Sequence, residues 1–260
     1  LINPTVCPRM AESGNAQPGW GMIEIGAGVG VLTAELARRA DKVVCIEIDS
    51  RLLPILDETL AEFDNIKIVN EDVLKADLHK LIGEEFAGMP VAVCANLPYY
   101  ITSPIIMRLL EGPLPIRSLT VMVQKEAAVR ITAAPGTREC GAISAAVWYY
   151  STPKLLFPVS RGSFLPAPAV DSAVIRLDLP QELPEDLPPR EDFFAVVRAG
   201  FGQRRKTMLN SLSAGLRWEK DATRALLTAA GIAENARAEQ VTLEQWKALT
   251  RAYFSMKKSR

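Results

Sequence analysis

Asn96, Leu97, Pro98 and Tyr99 follow an apolar run, Val91, Ala92, Val93, Cys94 and Ala95, that reads as a buried strand. A side-chain amide, a proline and an aromatic at a strand's carboxyl end put hydrogen-bond acceptors and a flat π-face where open α/β sheets bind ligands. A planar ring with an exocyclic amine would stack on Tyr99 and donate its N–H groups to Asn96 and nearby backbone carbonyls. That suits a nucleobase such as adenine. The same four residues also make an ordinary turn, because Asn and Pro are common turn residues.

Three further places carry chemistry. Glu24, Ile25, Gly26, Ala27, Gly28, Val29 and Gly30 combine a strand end with a glycine-rich turn, which lets a ligand approach the backbone at a helix start. Glu47 ends the second strand, where a carboxylate accepts hydrogen bonds from ribose hydroxyls. The layout also serves nicotinamide enzymes, but the glycine spacing is G-x-G-x-G, with Val31 where the dinucleotide fingerprint wants a second-turn glycine or alanine. That departure favours an S-adenosyl donor, which has no pyrophosphate to seat. Asp72 follows the third strand and can accept from an adenine amine, although Asp after a strand is also ordinary loop chemistry. Gly26, Glu47, Asp72 and Asn96 therefore close four successive strands, and one ligand can touch them all.

The elements needed to position these residues are legible as alternation. Strands are expected at 22–25, 42–48, 66–69, 91–95 and 118–123. Helices are expected at 31–40, 51–63, 104–110 and 124–134, with a weaker candidate at 141–149. Strand–helix alternation implies right-handed βαβ units and a parallel sheet. Two late strands, 154–159 and 173–179, fit an antiparallel pair at the sheet edge. A proline- and acid-rich stretch at 179–189 reads as a linker, and helices at 192–201, 206–215, 220–230 and 243–254 make a small all-helical domain. The expected division is 1–182 and 190–260.

The 260 residues carry 30 basic and 30 acidic side chains, so net charge is silent about partners. Their distribution is not: from Arg190 onward there are 14 Lys/Arg and 7 Asp/Glu. The basic C-terminal part suits a polyanion, or else the solvated side of a helical domain. Cys7, Cys45, Cys94 and Cys140 show no metal-type spacing and read as small buried hydrophobes in a reducing cytoplasm. His79, the single histidine, reads as a surface residue, so a histidine base or a multi-histidine metal site is not expected. No apolar run is long enough to span a membrane, and no signal peptide is visible. The chain opens at Leu1 rather than methionine, which reads as a missing N-terminal piece.

The motifs E-I-G-A-G-V-G, I-E-I-D, N-E-D-V, N-L-P-Y-Y-I-T-S-P, F-L-P-A-P-A-V-D-S-A-V and F-G-Q-R-R-K-T-M-L-N-S-L occur in that order. Over nearly its whole length the chain resembles the ribosomal RNA adenine N6,N6-dimethyltransferase family, most closely its bacterial small-subunit (16S) branch. The resemblance implies an α/β fold: a Rossmann-like S-adenosylmethionine-dependent methyltransferase sheet followed by the all-helical domain. It implies that Leu1, Glu24, Gly26, Gly28, Glu47, Ile48, Asp72, Val73 and Asn96 bind the donor, with Glu47 on the ribose and Asp72 on the adenine amine. Leu1 matches the leucine of the family's Q-N-F-L stretch, whose asparagine is absent here, and Cys140 stands where members often carry tyrosine.

The implied reaction needs no histidine and no metal. Asn96 and the Leu97 carbonyl would accept the N–H groups of the target adenine, drawing the N6 lone pair toward the methyl. Pro98 shapes the turn, and Tyr99 and Phe164 would stack on the base. Positioning of this kind supplies up to roughly 7–11 kcal/mol of a barrier. Phe164 also fits as a core aromatic, and Tyr100 reads as a packing residue. Arg204, Arg205 and Lys206 would contact RNA phosphates, although a basic helix start would look the same. The implied substrate is a pair of adjacent adenines near the 3′ end of 16S rRNA in the small ribosomal subunit, modified by a monomeric cytoplasmic enzyme with no membrane partner. The rivals are a large-subunit rRNA adenine methyltransferase of the macrolide-resistance type, a ribosome-assembly factor on the same fold, and, least favoured, a nicotinamide dehydrogenase.

Overall fold

The computed structural model describes residues 1–180, 182, 187–203 and 205–258. They pack as two units, Leu1–Ala128 with Ser151–Gln181, and Val129–Tyr150 with Glu182–Arg260.

The first unit opens with α1 (Val6–Ser13) and then alternates. β1 (Gly21–Ile25) leads through the glycine turn to α2 (Val31–Ala37), and β2 (Lys42–Ile46) leads through a 3₁₀ turn to α3 (Leu53–Thr59). β3 (Ile66–Val69) is followed by α4 (Leu78–Phe86), β4 (Val91–Asn96) by α5 (Thr102–Glu111), and β5 (Ile116–Gln124) by α6 (Lys125–Thr132). The strand runs are apolar on both faces because helices cover both faces of a parallel sheet. All five residues of β1 are buried, as are five of the six in β4.

After α7 (Ala142–Tyr150), β6 (Thr152–Val159) and β7 (Ser172–Asp178) complete a seven-stranded sheet ordered β3-β2-β1-β4-β5-β7-β6. Strands β1 to β5 pair parallel, whereas β7 runs antiparallel to both β5 and β6. Chain order reverses direction across the sheet between β1 and β4, and such a switch point opens a crevice at the strands' carboxyl ends.

The second unit holds α7 with α8 (Arg190–Phe201), α9 (Met208–Leu216), α10 (Lys220–Ala229) and α11 (Leu243–Lys258). Rings explain why α7 groups with these helices. Tyr149 lies 4.3 Å from Phe193 and Tyr150 lies 5.6 Å from Phe194, centroid to centroid, and the Tyr149 hydroxyl donates to the Pro188 carbonyl at 2.8 Å. Of the linker expected at 179–189, residues 181 and 183–186 lie outside the described residues. Two helices, α1 and α4, occupy stretches where the sequence reading placed no element. The helix expected from residue 206 begins at Met208, because Thr207 turns outward to cap it, accepting from the Asn210 amide.

Candidate active site

Of the four strand-end residues, Gly26 and Asn96 line one cavity, Glu47 hydrogen-bonds the adjoining glycine turn, and Asp72 lies outside both. Gly26 and Gly28 have φ of 76° and 59°, the left-handed region that glycine occupies without strain. No other atom lies within 4 Å of where a Cβ would stand at either position, so the turn presents bare backbone to open space. Glu47 holds that turn to β2: its Oε2 accepts from the Gly28 amide at 3.0 Å and its Oε1 from the Asp49 amide at 2.9 Å. Each oxygen keeps a lone pair for a ligand hydroxyl. The Asn70 side chain, which the sequence reading passed over, donates to the Glu47 carbonyl at 2.7 Å and ties the ends of β2 and β3 together. Asp72 sits half-buried just beyond β3, its Oδ1 accepting from the Leu74 amide at 3.0 Å. Ile48 is exposed and Val73 buried.

Leu1, Glu24, Gly26, Gly28 and Asn96 line one cavity of about 120 Å³. Cys7 and Met10 of α1 also line it, with Ala27, Val29, Val31 and Leu32; neither α1 residue carried a sequence signal for this role, since both read as plain apolar residues. Glu24 is the unusual member. It is a carboxyl group buried one residue before the end of β1, and its Oε2 has no hydrogen-bond partner among the described residues. Burial pushes its carboxyl up to about 8; the nearby Thr33 hydroxyl pulls it down and the Glu47 charge raises it further, both less strongly. An orphaned acceptor of this kind fits a positively charged guest. The ammonium and sulfonium of S-adenosylmethionine are such charges, and the bare glycine turn leaves room for them.

Asn96 ends β4 and makes no side-chain hydrogen bond with the described residues, so its amide is available to a ligand. The Leu97 amide donates to the Met122 carbonyl at 3.1 Å, which pins the turn to β5 and leaves the buried Leu97 side chain in the core. The Pro98 carbonyl is taken by the Thr102 hydroxyl at 3.1 Å. Tyr99 is half-buried, and its hydroxyl lies 2.6 Å from Ser172 Oγ at the start of β7. Phe164 packs partly against the core cluster that contains α1 and Met22. The Ser163 carbonyl beside it accepts from the Ile2 amide at 2.7 Å, so the chain segment that lines this cavity also braces the Phe164 loop.

Tyr100 overturns its expectation. It is 84% exposed, on the 3₁₀ turn Tyr99–Ile101, where successive side chains stand about 120° apart. His79 is exposed and all four cysteines are buried, as read from the sequence. Arg205 and Lys206 are exposed in the turn before α9; Arg204 lies outside the described residues. No group of three or more metal-ligating side chains occurs among the described residues, and no helix there is long and apolar enough to cross a membrane.

A family model for ribosomal RNA adenine dimethylase matches residues 1–253. A ribosomal RNA small subunit methyltransferase A from Alkaliphilus oremlandii is 50% identical over 251 residues, covering 96% of this chain and 87% of that protein. Among solved structures, the 23S rRNA methyltransferase ErmE aligns with a TM-score of 0.73 at 31% identity, over 97% of this chain and 98% of that one. A dimethyladenosine transferase from Plasmodium falciparum gives a TM-score of 0.79 at 24% identity, over 98% and 97%, a likeness of fold. The Rossmann-like sheet, the cavity at its switch point and these matches agree: the chain belongs to the ribosomal RNA adenine dimethylase family.

Proposed function

We propose that the protein dimethylates N6 of two adjacent adenines near the 3′ end of 16S rRNA in the small ribosomal subunit, acting as a cytoplasmic monomer. One observation carries the reading: Asn96, first residue of the acceptor turn, lines the same cavity as Glu24, Gly26 and Gly28, so base and donor meet at one wall. S-adenosylmethionine, when bound, supplies a methyl on a sulfonium cation. Glu24 would hold its positive end, and Glu47, Ile48, Asp72 and Val73 would hold the adenosine.

The chain's own residues do the rest. Adenine N6 is a poor nucleophile because its lone pair is spread into the ring. The Asn96 amide oxygen and the Leu97 carbonyl accept its two N–H groups, which concentrates that pair on nitrogen. Tyr99 and Phe164 fix the ring between them, and the N6 proton leaves to water. An adenine within a helix must first be unstacked, at a cost of a few kcal/mol. Arg205, Lys206 and Arg204 on the helical unit would hold the RNA backbone.

The small-subunit branch is favoured over the large-subunit one by identity, 50% to a small-subunit enzyme against 31% to ErmE. Mass spectrometry of rRNA, after 30S and 50S particles are incubated with wild type and with Asn96→Ala, tests the reading. Dimethyladenine is expected in 30S with wild type, and about 10²- to 10³-fold slower with the mutant, the loss seen when a positioned polar partner is removed. Product in 50S alone would establish the macrolide-resistance activity instead. Binding to 30S without methylation of any particle would establish an assembly factor.

A further inference from the structure

The Tyr99 ring is useful to a substrate base only if it is held at a fixed tilt. A half-buried tyrosine on a short turn can rotate about two bonds, and nothing in the turn itself stops it. The structure supplies an anchor from elsewhere in the chain: the Tyr99 hydroxyl meets Ser172 Oγ at 2.6 Å across 73 residues. Ser172 is fully buried and opens β7, where it pairs with Gln124 on β5 and with Val159 on β6. Its backbone is therefore fixed on both sides, and its hydroxyl is a rigid post. The loop leading into Ser172 is held as well, since Asp171 accepts from the Arg161 amide at 2.9 Å and its carbonyl accepts from the Lys125 amide at 3.0 Å.

We infer that Ser172 is a positioning residue for the acceptor adenine: it locks the Tyr99 ring, and through that ring it governs the second methyl transfer more than the first. The inference rests on the dimethylase reading above. Its chemical logic is steric and electrostatic. In the first transfer, two N–H groups of the adenine are available to Asn96 and Leu97, so the base is held from its edge as well as its face. The monomethyl product has one N–H left. Its orientation then depends more heavily on the stacking faces, and a ring free to tilt gives the N6 nitrogen a wider spread of approach directions. A loosened Tyr99 therefore slows the second step and lets monomethyladenine accumulate.

The test follows product composition over time on 30S particles with Ser172→Ala, Tyr99→Phe and the double variant. Each single variant removes one neutral hydrogen bond, and a three- to tenfold fall in the rate of the second transfer is expected. The first transfer should fall less than half as much, with KM for 30S and the Kd for S-adenosylmethionine unchanged. The double variant should be no slower than either single one, because both remove the same bond; a purely structural role for Ser172 would not give that non-additivity. Tyr99→Phe keeps the sheet intact and reports on the bond even where Ser172→Ala folds poorly. Equal slowing of both transfers, additive losses, or wild-type product ratios in Tyr99→Phe would overturn the inference while leaving the dimethylase reading standing. Absence of any methyladenine with the wild type would overturn both.

Discussion

Glu24→Gln offers the sharpest test of how the donor is held. Burial raises the Glu24 carboxyl from the ordinary 4.5 to about 8, so the empty folded protein carries it protonated at neutral pH. The folded state then binds a proton that the unfolded chain has released. Stability from this group is fully present below pH 4.5 and is lost as pH rises through 8. Forcing the buried carboxylate to ionise costs up to about 5 kcal/mol over that span. Glutamine has the same shape and no charge, so Glu24→Gln should match wild type in urea denaturation at pH 5 and be several kcal/mol more stable at pH 9. Donor binding should run the opposite way. A cationic guest favours the carboxylate, so binding at pH 7 should release up to about one proton from Glu24, and affinity should rise on the order of tenfold between pH 7 and 9 from this group alone. Titration calorimetry in buffers of different ionisation heat counts the protons. Comparison with Glu24→Gln removes the donor's own ammonium titration, which is common to both. Equal proton release by wild type and variant, with equal stability at pH 9, would refute the idea that Glu24 is a buried acid waiting for a positive guest.

Other outcomes are equally concrete. Reversing the charges of Arg205 and Lys206 should weaken 30S binding in a filter assay, flatten its log–log salt dependence by about one unit per lost phosphate contact, and leave S-adenosylmethionine affinity unchanged. Tyr100→Ala should shift unfolding free energy by less than about 0.5 kcal/mol in urea denaturation, since the ring is exposed. Burial pushes the thiols of Cys7 and Cys45 up to about 12 and that of Cys140 to about 11. A thiol-reactive disulfide dye at pH 8 should therefore leave the native protein unlabelled and react with four thiols once it is unfolded in urea.

Much of this molecule is legible in one dimension, for physical reasons. β2 and β4 announce themselves as short apolar runs because they lie buried inside the sheet, whereas the edge strand β3 keeps an exposed Lys67 between its aliphatic residues. The glycine turn is legible because only glycine fits the backbone angles at Gly26 and Gly28 without strain. Glu47 and Asn96 are legible by position, at the ends of apolar strand runs, although Glu47 also has a structural task in bonding the Gly28 and Asp49 amides. What stayed hidden depends on distance along the chain or on partial patterns. α4 has Leu78, Ile82 and Phe86 at helical spacing, but His79, Lys80, Glu84 and Glu85 between them make the segment read as a polar loop. α1 places Cys7 and Met10 on the donor cavity, yet their side chains give no hint of a ligand. Tyr100 looked like packing because an aromatic next to a proline turn usually is; which way a 3₁₀ turn throws a side chain is not written in composition. The Tyr99 to Ser172 bond joins residues that no local pattern connects.

The reversed strand β7 has a consequence for both sides of the crevice. A parallel strand in its place would begin at the far edge of the sheet and deliver its preceding loop away from the crevice. Running antiparallel, β7 starts beside the end of β5, so residues 160–171 arrive at the crevice as one continuous insert between the edge strand β6 and its neighbour β7. The cavity beside β1 and β4 leans on that insert, because the Ile2 amide next to its wall residue Leu1 donates to the Ser163 carbonyl. One loop thereby touches both sides of the crevice: Phe164 on it stands near the acceptor turn, and Ser163 holds the N-terminal segment, so a change in this loop is felt on both.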